Sequence, residues 1–247
     1  MTTKDMKKVG NEQVPAHLMG REGSGRGSEE IGLDDLSIPR IGIVQDLSPQ
    51  RKKEKPEYIQ GAEEGMMFNS VTKKLYSSLI AIPVYYRMEY FLWRPRKMGG
   101  GFRGVFPTRE AAEAAMKASD EPVELIETAQ QFCIVSDDGK EWEEAVISMS
   151  SSNSGPSRNW NSDIRLRCRP QNLDRFALMY TVRPVRKTND KGDFFVFSID
   201  YRGYVSDEAT YRQAESVYNA IATGVKDVAR DYEGEDDAPA GDEGVGF

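Results

Sequence analysis

The run from Ile80 to Trp93, Ile-Ala-Ile-Pro-Val-Tyr-Tyr-Arg-Met-Glu-Tyr-Phe-Leu-Trp, constrains the fold more than any other segment. Side chains of a strand point to opposite faces at each step, so this alternation predicts one long half-buried β-strand. Its expected core face carries Ile80, Ile82, Val84, Tyr86, Met88, Tyr90 and Leu92. The other face carries Tyr85, Arg87, Glu89, Phe91 and Trp93, where an ordinary solvent face would show Lys, Glu, Thr and Ser. Aromatic rings beside an arginine are a binding pattern as much as a packing one.

The segments that follow extend a mainly β pattern. The basic, glycine-rich connection Arg94 to Gly101 leads into a short strand at Phe102–Phe106, and Thr108 is placed to cap a helix running to about Ala118. Its packing face is expected at Ala111, Ala115 and Met116. Further strands are expected at Val123–Glu127, Gln131–Val135 and Ala145–Met149, followed by a loop over Ser150–Pro156. Phe176–Val185 and Asp193–Tyr201 alternate around the turn residues Thr188 to Gly192 and predict a hairpin. After Ser206, apolar residues at Tyr211, Ala214, Tyr218, Ile221, Val225 and Val228 recur at helical spacing and predict a closing helix.

Charge divides the chain. The formal net charge is −7, and residues 231–247 hold Asp231, Glu233, Glu235, Asp236, Asp237, Asp242 and Glu243 with no basic residue. The preceding residues therefore balance, and the acidic total does not exclude a polyanionic partner. Residues 1–32, rich in glycine and charge, are expected to form a flexible arm, 33–230 a single domain, and 231–247 a disordered acidic tail. No apolar run approaches the roughly 18 residues of a membrane span. The first residues lack the apolar stretch of a signal peptide, so the expectation is no membrane partner and a cytoplasmic location.

Within the balanced body, charge is sorted along the sequence. Six basic residues against Glu89 lie between Arg87 and Arg109, and ten against five acids lie between Arg158 and Arg202, both among aromatic residues. Glu110 to Glu144 holds eleven acids and two basic residues. Single-stranded nucleic acid requires this combination, because cations follow phosphates while aromatic faces stack unpaired bases. Tyr85, Phe91, Trp93, Phe102 and Trp160 are the aromatic candidates. Arg87, Arg94, Arg96, Lys97, Arg103, Arg158, Arg165, Arg167 and Arg186 are the backbone-contact candidates.

Enzymatic readings find less support, and no catalytic residue, cofactor or metal is expected. The only histidine, His17, lies in the arm, so His-based acid–base chemistry and His-ligated zinc lack their central residue. Cys133 and Cys168, the only cysteines, have no metal-ligand spacing. Gly99 to Gly104 matches G-x-G-x-x-G, but strand-like residues and Pro107 follow where a dinucleotide site needs a helix. No P-loop motif occurs. The acids Asp137, Asp138, Glu141, Glu143 and Glu144 surround Gly139 as a solvated turn would.

The tail ends Gly244-Val245-Gly246-Phe247, so an aromatic side chain sits on an acidic tether that could dock on a basic-rimmed pocket of a partner. A basic aromatic β-body with such a tail resembles the single-stranded DNA-binding proteins of tailed bacteriophages. Ile38-Pro39-Arg40, Glu64 to Asn69 and Asn189 to Asp193 are similar to stretches of that family. The resemblance implies an elaborated OB-fold, a five-stranded Greek-key barrel with extra strands and a C-terminal helix. It further implies single-stranded DNA as partner during phage replication, recombination or repair, with possible self-association on DNA in the infected host. Asp236, Asp237, Asp242, Glu243 and Phe247 would recruit replication or recombination proteins and compete with DNA for the groove. A strand-annealing recombination protein, or an interaction protein whose basic face meets an acidic partner, are the alternatives.

Overall fold

The computed structural model describes residues 38–190 and 192–224. The N-terminal arm, Lys191 and the acidic tail with its five candidate residues lie outside them.

Among the described residues, nine strands and three α-helices give a mixed α/β fold dominated by antiparallel sheets. The small sheet pairs β1 (Ile41–Ile43), β2 (Met67–Asn69) and β3 (Leu75–Tyr76) in that order. The main sheet is built on β4 (Leu79–Trp93), the long strand that the sequence predicts. β4 is flanked on one side by β6 (Glu124–Ser136) and then β7 (Glu143–Ser150). On its other side lie β8 (Leu178–Asn189) and then β9 (Gly192–Tyr204), while β5 (Phe102–Phe106) pairs the far end of β4. The order β8-β4-β6-β7 places the fourth of these strands beside the first, which is Greek-key connectivity. The two segments expected over 123–135 are one continuous strand, β6. The sheets do not close into a barrel.

The long strand departs from simple alternation at one residue. In the β4–β6 ladder Pro83 pairs Cys133 and Tyr85 pairs Phe132, so Val84 is an extra residue, a β-bulge. A bulge shifts the period by one, and every side chain beyond it changes face. Ile82, Val84 and Tyr85 pack on one side of the sheet, while Leu79 and Ala81 join Tyr86 and Met88 on the other. The single core face expected from Ile80 through Leu92 is therefore corrected. Val84 is apolar and suits either side, so the hydrophobic pattern does not mark the shift; the local mark is Pro83, a residue strands accept at edges and bulges.

Each face has its own core. The first gathers Ile41, Met67, Leu79, Cys133, Trp160 and Tyr180 beneath α2 (Ser154–Cys168). The second gathers Ile82, Val84, Phe132 and Phe176 beneath α3 (Glu208–Ala222), which contributes Ala214, Val217 and Ile221. Burying Val217 and Ile221 is worth roughly 1.5–3 kcal/mol each. Asp207 caps α3 by accepting from the Thr210 backbone N–H at 2.7 Å. In α1 (Arg109–Ala118) Thr108 is the cap as expected, but the buried residue is Ala112, not the expected trio.

The segment expected as a loop, Ser150–Pro156, instead contains a single 3-10 turn and the start of α2. On its buried face α2 carries Ser157, Trp160, Ile164 and Cys168, a stripe narrower than most helices show. A polar network supplies the rest of its attachment. Fully buried Gln131 of β6 donates from Nε2 to Ser157 Oγ (3.1 Å) and Asn161 Oδ1 (3.2 Å), and its Oε1 accepts from Arg175 Nη2 (2.8 Å). Burial holds the Arg175 guanidinium below its ordinary pKa.

Candidate functional site

The candidate residues fall into two groups on opposite faces of the main sheet. On the α3 side, Tyr85 is half-buried against Phe132 and Tyr218, each at 6.1 Å between ring centroids. Arg87 lies 5.2 Å over the Phe132 ring and 3.7 Å from the Glu89 carboxylate. Phe91 and Trp93 are each 3% exposed and cluster with Phe102, whose ring centroid is 5.4 Å from that of Trp93. In this conformation these rings pack against one another.

The arginines at this end are paired. Arg103 Nη2 lies 3.1 Å and Arg94 Nε 3.9 Å from the same Glu121 carboxylate, and Arg109 meets Glu113 and Glu127. Arg96 and Lys97 belong to the 3-10 turn Arg96–Met98, and Lys97 is exposed. Charge that is sorted along the sequence is thus interleaved in space here, because the acidic segment folds back beside β4 and β5.

The second group sits on and beside α2. Arg158, Ser162, Arg165 and Arg169 recur at spacings of 4, 3 and 4, which lines them along one exposed stripe that runs into the turn after the helix. Among the described residues none of these three arginines has an acidic partner. Trp160 is 2% exposed and packs inward, edge-on to Tyr180 at 5.6 Å. Arg186, on the hairpin, pairs with Asp193.

Between α2 and the β8–β9 hairpin runs a groove of about 450 Å³, lined among others by Asn159, Asp163, Arg167, Lys187, Ser198 and Tyr201. Arg167 is the organising residue. Its Cζ lies 3.5 Å from the centre of the Tyr201 ring, and its Nε donates to Asp163 Oδ2 at 2.7 Å. Asp163 also accepts from the Tyr180 hydroxyl at 2.9 Å. Burial and the bond to Asp163 push the Tyr180 pKa well up, so the phenol remains a donor.

Sequence reasoning named Arg158, Trp160, Arg165 and Arg167 here but not Asp163, Arg169, Lys187 or Tyr201. The 4-3-4 recurrence of Arg158, Ser162, Arg165 and Arg169 was the signal available. It was obscured by Ser150 to Pro156, which reads as a loop.

Among the described residues no group of three or more His, Cys, Asp or Glu is placed to hold a metal ion, and no helix is long and apolar enough to cross a membrane. No curated protein and no solved structure matches the chain. A family model described as Pam3 phage gp34-like protein matches residues 6–226, most of the sequence. The chain thus belongs to the Pam3 phage gp34-like family of bacteriophage proteins.

Proposed function

We propose that this protein binds single-stranded DNA without catalysis, protecting it during phage replication, recombination or repair. The observation that carries the reading is a stripe of three arginines, without an acidic partner among the described residues, that runs along α2 into the turn after it, on a helix whose other side lines a groove holding an aromatic ring and a stacked guanidinium. Cations without acidic partners are free to replace the counterions condensed on phosphates, and flat groups in a groove accept unpaired bases. Arg158, Arg165 and Arg169 are the phosphate contacts in this account, with Lys187 on the hairpin side. The paired residues of the β4–β5 end, Arg94 and Arg103, reach phosphate only by giving up Glu121.

The strand connectivity supports the same reading. The Greek-key strands are antiparallel, and the residues flanking β1 reach both edges of the five-stranded path: Arg40 bridges Val146 of β7, and the Gln45 side chain bonds Phe195 of β9. OB-folds share Greek-key connectivity and bind oligonucleotides on their sheet face and loops. The seven acids of residues 231–247 compete with DNA for the arginine stripe and dock partner proteins of the replication or recombination machinery.

Filter binding of oligo-dT, the matching RNA and a duplex at two salt concentrations tests the proposal. The expected result is binding to the single strand that weakens as salt rises and exceeds binding to duplex. Absent or salt-independent binding to the single strand would overturn it.

A further inference from the structure

The groove beside α2 has an internal construction that a phosphate contact does not need. We infer that it is a stacking subsite for one unpaired nucleobase, which lies on the open face of the Arg167 guanidinium and completes a sandwich of Tyr201, Arg167 and base. The inference rests on the single-stranded DNA reading and adds where a base sits and which side chain it covers.

Arg167 is held flat. A guanidinium whose Cζ stands 3.5 Å from a ring centre must lie face-on, because a tilted one would drive a nitrogen into the ring. Its edge is tied by the 2.7 Å bond to Asp163, which Tyr180 braces in turn. One face of the guanidinium is covered by Tyr201, yet the side chain remains 35% exposed and lines the groove. A planar cation fixed on one face and open on the other is a platform for a base, and arginine planes serve so in single-strand recognition.

The electrostatics of the groove favour a base over a phosphate. Asp163 offsets Arg167, and Asp200 is held by Arg183 at 3.1 Å, which leaves Lys187 as the uncompensated charge. Arg158, Arg165 and Arg169, which have no acidic partner among the described residues, stand about 140° around the helix axis from Asn159, Asp163 and Arg167, so phosphates and base have separate places. The groove volume of about 450 Å³ is within the range of sites that enclose small ligands. A duplex cannot fill it without unstacking a base.

Arg167→Lys keeps the charge and removes the plane. Fluorescence anisotropy with labelled oligo-dT and an abasic oligomer of equal length, using the full chain, separates the contributions. Stacking of this kind is worth about 1–3 kcal/mol per base, so oligo-dT affinity should fall about 5- to 150-fold. Binding of the abasic oligomer and the salt dependence should be unchanged. Tyr201→Phe keeps the ring and should retain full affinity. If the wild-type chain binds oligo-dT and Arg167→Lys binds it equally, or if the variant loses as much on the abasic oligomer, the subsite is wrong while strand binding stands. If the wild-type chain does not bind oligo-dT, both fail.

Discussion

The Gln45 side chain closes both backbone hydrogen-bonding groups of Phe195, a residue 150 positions away: Nε2 donates to the Phe195 carbonyl at 2.8 Å and Oε1 accepts from its N–H at 2.9 Å. An edge strand with open amides and carbonyls is a template for unwanted pairing. Gln45 caps β9 at this point, and Asn153 does the same for the Phe197 N–H at 2.8 Å. The segment is seated tightly. Gly65 has φ +82°, and a β-carbon there would stand 2.6 Å from the Phe195 ring.

Gln45→Ala is therefore expected to destabilise the fold by about 1–3 kcal/mol, the cost of two orphaned backbone groups. Urea denaturation measures it, and hydrogen exchange should rise at Phe195. An unchanged midpoint with unchanged exchange would show that the clamp contributes nothing.

Gln131→Leu leaves Ser157, Asn161 and the buried Arg175 guanidinium without a shared partner. Unmade bonds to a charged buried group cost the most, so a loss of about 3 kcal/mol is expected, concentrated in α2. Exchange protection in α2 should fall before that in β4 and β6. Uniform loss across the sheet would contradict the role of Gln131 in anchoring the helix.

Burial pushes the Cys133 thiol up to about 12. Since the thiolate is the reactive form, Cys133 should resist a thiol reagent at pH 8 in the native protein and react once unfolded. Cys168 is shifted in the same direction by its own burial. Rapid labelling of Cys133 under native conditions would contradict the packing of the first core.

Removal of residues 231–247 takes away seven negative charges and no positive ones. The shortened chain should bind oligo-dT more tightly than the full chain at low salt, and the difference should shrink as salt screens it. Equal affinities would remove the competition between tail and strand.

Some of this architecture is readable from the residues alone. Strand β4, the β8–β9 hairpin and helices α1 and α3 announce themselves through alternation, turn residues, the Thr108 cap and, in α3, apolar residues at helical spacing. Helix α2 does not, because its buried stripe is only Ser157, Trp160, Ile164 and Cys168 and the rest of its attachment is polar. The hydrophobic pattern conceals the bulge at Val84 because valine is acceptable on either face, and only the neighbouring Pro83 marks it. Pairing of Arg94 and Arg103 with Glu121 depends on the chain returning beside itself, and no local pattern encodes that. The same limit hid Tyr201, whose importance comes from Arg167 lying across it.

In the proposed mode the stripe of Arg158, Arg165 and Arg169, along α2 and the turn after it, holds the phosphates of a single strand. The direct test is the slope of log affinity against log salt for oligo-dT, compared between the full chain and its Arg158→Gln, Arg165→Gln, Arg169→Gln variant. Each phosphate contact on a single strand contributes about 0.7 to that slope, so the variant should bind more weakly with a slope shallower by about 2. A variant that matches the unaltered chain in both affinity and slope would contradict the claim.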